Sequence, residues 1–229
     1  MKDYSVLERN LGYSFQDKKL LTHALTHSSY ASEHDLAYSE NNERLEFIGD
    51  AYLDAIIGNK LYEVMPNQPE GVLSKTRANI VCERSLATIA WHIGLGDFLF
   101  LGNGEEMYGG REKDSILADA VEAIIGAIIR ESGYDCADRV VLKLFEENIL
   151  LALQGKLYHD YKTALQEKLQ ERYKNVRIQY EPVSESGPDH RKVFTVQVKV
   201  DDAVLATGSG HSKKAAEQEA ARKVLMKGV

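Results

Sequence analysis

Three carboxylates stand in one short apolar stretch, Asn42-Glu43-Arg44-Leu45-Glu46-Phe47-Ile48-Gly49-Asp50-Ala51-Tyr52-Leu53. At about 100° per residue, Glu43, Glu46 and Asp50 fall within one arc of a helix. Acids held that close repel one another and raise each other's pKa, so a fold that keeps them ionised needs a counter-cation, most simply a divalent metal. A second pair, Asp119 and Glu122, lies one helical turn apart in the apolar run 115–127. If the two segments pack side by side, Glu46, Asp50, Asp119 and Glu122 converge as hard oxygen donors suited to Mg2+ or Mn2+. No Cys stands among them and no His is required, which disfavours zinc.

The bland alternative for any single acid is a solvated helix face. These acids lie instead among Leu45, Phe47 and Ile48, and among Ile116, Leu117, Val121, Ile124 and Ile125. An ionised carboxylate there is costly unless paired or metal-bound. A di-iron carboxylate bundle would also gather acids on helices, but it needs two Glu-x-x-His motifs. Glu43-x-x-Glu46 and Asp119-x-x-Glu122 carry no His at the required positions. His23 and His27 have i, i+4 spacing without the Glu of H-E-x-x-H, and read as helix-face hydrogen-bonding groups. Cys82 and Cys136 have no C-x-x-C spacing, so they read as small buried hydrophobes rather than zinc ligands or a disulfide.

The elements that must position these acids fit a chain of 229 residues, 44% hydrophobic and 28% charged, long enough for one large domain or two small ones. The N-terminus has no signal-peptide core and the most apolar run, 123–129, is too short to span a bilayer, so a cytoplasmic protein without membrane contact is expected. Helical patterning covers 16–30, 41–63, 69–92, 112–131 and 135–150, without strand alternation. Breakers fall at 65–69, at 94–97, and from Gly102 to Gly110, the last read as a plain loop. After residue 159 the period changes: a helical run 160–173, alternation over 176–183 and 193–200, a short strand 203–207, a break at Gly208-Ser209-Gly210, and a helix from Ser212. The expected fold class is therefore multidomain, α and α+β: an all-α domain 1–152, a linker 153–158 and an α-β-β-β-α domain 159–229. Residues 1–152 hold 14 Lys+Arg against 25 Asp+Glu, whereas 153–229 hold 14 against 10. An acidic body with a basic tail suits metal chemistry in the first and anion binding in the second.

The chain resembles bacterial ribonuclease III over nearly its whole length. The segment 42–53 is similar to that family's signature, and Glu70-Gly71-Val72-Leu73-Ser74, Gly102-Asn103-Gly104-Glu105-Glu106 and Ser115-Ile116-Leu117-Ala118-Asp119-Ala120-Val121-Glu122-Ala123 follow in its order. The tail resembles a double-stranded RNA-binding domain through 160–167, Gly187-Pro188-Asp189-His190 and 208–218. Tyr52 and Asn103 depart from the usual residues, a smaller aliphatic and a basic one, which bears on packing detail and RNA preference.

The resemblance implies an endoribonuclease that hydrolyses double-stranded RNA with metal-activated water. It would leave 5′-phosphate and 3′-hydroxyl ends with short 3′ overhangs, acting on ribosomal RNA precursors, messenger RNA and other structured transcripts. It implies Glu46, Asp50, Asp119 and Glu122 at the metal, with Asp50 and Glu122 nearest the hydrolytic water, and Glu43 and Glu70 as auxiliary acids. It implies Mg2+, replaceable by Mn2+, no organic cofactor, and a homodimer in which Phe47 packs into the partner subunit; pattern alone leaves Phe47 equally placed in its own core. In the tail, Thr163, Gln166, Glu167 and Gln170 share a helix face that could meet 2′-hydroxyls, His190 could enter a groove, and Lys213 and Lys214 could face phosphate. A solvated helix cap is the plain reading of the two lysines. A catalytically silent RNA-binding scaffold remains the rival, although every proposed acid is present.

Overall fold

The computed structural model describes residues 3–155, 157, 161–173, 176–187, 192–201, 203–210 and 212–226, which belong to two compact units, Met1–Leu157 and Tyr158–Val229. The first is helical: α1 (Ser5–Leu11), α2 (Lys18–Ala24), α3 (Ser28–Glu33), α4 (Glu43–Val64), α5 (Glu70–Ile80), α6 (Glu83–Ile93), α7 (Asn103–Met107), α8 (Asp114–Ser132), α9 (Tyr134–Leu144) and α10 (Glu146–Leu153). Helix α8 is apolar on nearly every side, with Ile116, Leu117, Val121, Ile124, Ile125 and Ile128 all buried, so it must lie at the centre. Helix α4 packs along it most extensively, and α2, α6 and α9 flank it. Each such Ile or Leu taken out of water stabilises the unit by roughly 1.5–3 kcal/mol before chain entropy is counted.

Three long helical runs are interrupted where tertiary contacts outcompete the local period. The run 16–30 is two helices, because residues 25–27 leave the helix to meet Phe100: Phe100 N donates to Leu25 O at 2.9 Å and His27 N to Phe100 O at 3.1 Å. The run 69–92 divides at Val81–Cys82, where Cys82 turns extended (φ −69°, ψ 153°) to begin α6. The run 135–150 divides at Phe145, whose ring is wholly buried. Helix α1 was not expected, and the glycine-rich segment read as a plain loop contains α7 and a 3-10 turn over Gly110–Glu112. Both cysteines are half-buried rather than core residues, since Cys82 sits at a helix junction with its Sγ 3.3 Å from Asn79 O. Among the described residues, no helix is long and apolar enough to cross a membrane.

The second unit has the α-β-β-β-α order: α11 (Tyr161–Arg172), β1 (Ile178–Ser186), β2 (Val193–Val200), β3 (Ala203–Gly210) and α12 (Lys213–Met226). The sheet is antiparallel in the order β1-β2-β3. Leu165 and Leu169 of α11 and Ala220, Ala221 and Val224 of α12 bury themselves against Val198. Gly208-Ser209-Gly210, expected to break the chain, instead continues β3, with Gly208 opposite Val196 and Gly210 opposite Phe194. The glycines are there for proximity: a Cβ on Gly208 would stand 2.2 Å from Ala220 N and 2.3 Å from Ala216 O. Helix α12 thus rests on the strand backbone itself.

Candidate functional site

Two mid-helix glycines fix the acids. A Cβ on Gly49 of α4 would lie 1.8 Å from Glu122 O, and one on Gly126 of α8 would lie 2.1 Å from Leu45 O. The two helices therefore touch backbone to backbone at this crossing, closer than side chains allow. Glu46 and Asp50 flank Gly49 on α4, while Glu122 lies one turn before Gly126 on α8, with Asp119 one turn earlier still. Ligand atoms of Glu46, Asp119 and Glu122 come within 4.8 Å of one another. The crossing residues escaped the sequence reading, although a glycine inside an otherwise apolar helix is a recognisable sign of close packing.

All three clustered carboxyls are half-buried and harder to ionise than usual. Burial pushes Glu46 up to about 7, with the charges of Asp119, Glu43 and Asp50 adding to it. Burial again comes first for Glu122, raised to about 8, followed by repulsion from Asp50, Glu46, Asp119 and Asp54. Asp119 is raised by burial and drawn back by His27. The charges acting on Glu46 and Glu122 are all acids, and His27 offsets only Asp119, so the cluster fits a multivalent cation: oxygen donors, close together, in excess negative charge.

Asp50 is exposed and outside this group of three, although its charge reaches both Glu46 and Glu122. Glu43 is half-buried in the first turn of α4, and its backbone N–H donates to Asn41 Oδ1 at 3.1 Å. Glu70 is exposed at the start of α5, where it accepts from Ser74 Oγ at 2.6 Å, and it is not one of the three clustered carboxylates. The histidines are not a helix-face pair: His23 Nε2 lies 2.8 Å from Asn41 O, whereas His27 is outside the helix and its Nδ1 accepts from Ser29 N at 3.2 Å. The own-core position for Phe47 is overturned, since its ring is 80% exposed. It lines a cavity of about 730 Å³ with Leu20, Tyr38, Ile48 and Arg130.

The raised carboxyls couple the stability of this unit to pH. Their ordinary values are 4.5 for Glu46 and Glu122, against about 7 and about 8 in the fold. Folding takes up protons between those limits. The cluster's stabilising contribution is full below about pH 4.5 and is lost as pH rises through 7 and 8. The metal-free chain should melt at progressively lower temperature from about pH 6 to about pH 9, and a divalent cation added at the upper end should restore the midpoint. A midpoint indifferent to the cation across that range would dissociate the cluster from metal binding.

In the second unit, Thr163, Gln166, Glu167 and Gln170 are exposed along α11, and Lys213 and Lys214 are exposed at the start of α12. Thr163, Gln166 and Lys214 line one groove of about 600 Å³ together with Lys162, Glu217 and Gln218. Lys213 leans towards β1 and β2, 3.5 Å from a Glu185 carboxylate oxygen and 5.9 Å from the centroid of the Phe194 ring. His190 lies outside the described residues.

Comparison with known proteins agrees with this division. A family model described as Ribonuclease-III-like matches residues 17–149, and one described as double-stranded RNA binding motif matches residues 161–227. Ribonuclease 3 of Caldanaerobacter subterraneus subsp. tengcongensis is 51% identical over 221 residues, covering 96% of each chain. Ribonuclease 3 of Pelotomaculum thermopropionicum is 46% identical over 223 residues, 97% of this chain and 92% of its own. Among solved structures, a nuclease domain of ribonuclease III from Campylobacter jejuni is 50% identical, covers 65% of this chain and 97% of that one, and superposes with a TM-score of 0.60. A second structure of that domain, described for flexibility in a region involved in dimer formation, is 49% identical over 64% of this chain and 98% of its own, with a TM-score of 0.60.

Proposed function

The chain belongs to the ribonuclease III family, and from that premise we propose how its own residues cut double-stranded RNA. It is a double-strand-specific endoribonuclease with a C-terminal double-stranded RNA-binding domain, from a metal-dependent family. Residues 1–152 carry the hydrolysis, 153–158 link, and 159–229 hold the duplex. The observation that carries the reading is the half-buried group Glu46, Asp119 and Glu122, with ligand atoms within 4.8 Å of one another.

Glu46, Asp119 and Glu122 would hold Mg2+, or Mn2+ in its place, with Asp50 at the exposed edge. When bound, such an ion supplies positive charge against the phosphate and acidifies water. Asp50 and Glu122 orient the attacking water. As its oxygen bonds to phosphorus the bond from phosphorus to the 3′ oxygen breaks, one water proton passes to one of these two carboxylates, and the departing oxygen takes a proton from solvent. Glu43 and Glu70 serve as auxiliary acids towards the substrate. No side chain attacks phosphorus, so no covalent enzyme intermediate forms. The products are 5′-phosphate and 3′-hydroxyl ends with short 3′ overhangs. Phe47, large, apolar and exposed, suits insertion into a second copy of the chain, giving a homodimer with one cut on each strand. The reading places the enzyme in the cytoplasm, on ribosomal RNA precursors and other structured transcripts.

On the second unit, Thr163, Gln166, Glu167 and Gln170 meet 2′-hydroxyls while Lys213 and Lys214 meet phosphate, which reads the shape of the duplex rather than its sequence. His190 would add a groove contact. The test is a gel assay of the full chain on a long RNA duplex and on a matched single strand, with Mg2+ or with chelator. Cutting confined to the duplex with Mg2+ is expected. Binding without cutting under every metal would make the chain a scaffold.

A further inference from the structure

Lys162, the second residue of α11, joins three elements through one residue. Its ammonium lies 2.5 Å from Glu217 Oε2 on α12, its backbone N–H donates to Gln218 Oε1 at 3.3 Å, and its Nζ stands 4.5 Å from the centroid of the Tyr180 ring on β1. Glycine contacts already seat α12 on β3. The Lys162–Glu217 pair then fixes the start of α11 against the first turns of α12. The groove at this junction carries Thr163 and Gln166 from one helix and Lys214 from the other.

Two features argue against a merely stabilising pair. Both side chains are partly exposed, 35% for Lys162 and 27% for Glu217, and ion pairs so exposed contribute little to stability. Glu217 also places negative charge on a groove that would face a polyanion, which by itself opposes binding. An acid at that place is useful if it holds something. A duplex is stiff and its grooves are regularly spaced, so contacts from two helices succeed only when their separation matches that spacing. We propose that Lys162 and Glu217 are a positioning pair that sets the separation between the 2′-hydroxyl-facing side of α11 and the phosphate-facing start of α12. The inference rests on the RNA-binding reading of this face.

The test is duplex affinity of the full chain at several salt concentrations, with chelator present so that nothing is cut. Electrostatics alone predicts that Glu217→Gln tightens binding, because a negative charge is removed and Lys162 is released towards phosphate. Positioning predicts the reverse, a weakening of about three- to tenfold, with a similar loss for Lys162→Met. The reversed pair, Lys162→Glu with Glu217→Lys, should regain most of the affinity that either single reversal loses; it also carries the test should Lys162→Met fail to fold. Glu217→Gln binding as tightly as the parent or tighter, or a reversed pair no better than its singles, overturns the proposal. Lys213→Ala with Lys214→Ala checks the underlying reading separately: loss of two phosphate contacts lowers the salt slope by about 2. An unchanged slope there removes the RNA face itself, whatever Glu217→Gln does.

Discussion

Glu122→Gln is expected to reduce duplex cleavage by about 10³-fold or more while leaving duplex affinity nearly unchanged, and to raise the melting temperature of the metal-free chain at about pH 8. A loss of that size corresponds to about 4 kcal/mol of transition-state stabilisation, in the range that a catalytic metal supplies. The amide keeps the size of the carboxylate, so the close contact of α4 with α8 is preserved. It removes a negative charge that burial and the charges of Asp50, Glu46 and Asp119 resist, the forces that raise the carboxyl to about 8. Gains in stability with loss of chemistry are the signature of a group kept for function against the preference of the fold. Single-turnover cleavage with excess enzyme, filter binding with chelator, and thermal denaturation at about pH 6 and about pH 8 read the three effects. Cleavage close to the parent rate would remove Glu122 from the site; a lowered melting temperature at the higher pH would show that the charge is not the cost assigned to it.

Gly49→Ala and Gly126→Ala should each destabilise the nuclease unit by about 3 kcal/mol or more, or prevent folding, and abolish cleavage in either case. Overpacking a close contact usually costs about 1–3 kcal/mol. Here the added methyl would meet backbone, 1.8 Å from Glu122 O in one case and 2.1 Å from Leu45 O in the other. Neither neighbour can swing aside as a side chain would, so the helices must part and carry the acids with them. Gly71 is the internal control, for it is also helical but a Cβ there meets nothing within 4 Å. Gly71→Ala should stabilise by about 0.5–1 kcal/mol through helix propensity. Denaturant titration of the three variants decides the matter. Equal small effects at all three would mean that the crossing relaxes and that glycine is not needed there.

The acids at 43, 46 and 50 share a helix face because the helical repeat fixes it within a few residues, and so do those at 119 and 122. The α-β-β-β-α order of the tail followed from a change of period, from the helical run ending near Tyr173 to alternation in Val193–Val200. These are local properties, and local sequence determines them. Where residues 25–27 leave the helix to meet Phe100, or where Gly208 and Gly210 stay in a strand to receive α12, a distant partner decided the outcome. Long-range packing overrides propensities worth less than about 1 kcal/mol per residue.

The site divides along the same line. Residue order alone sets these acids in apolar helices, where they need an opposite charge. That Glu46, Asp119 and Glu122 come together while Asp50 stays exposed at their edge is a product of helix packing. That choice depends on where α4 crosses α8, which is set by backbone contact at Gly49 and Gly126, residues without side chains and far apart in the chain. Helical spacing fixes angles about one axis; it says nothing of the point at which two axes meet.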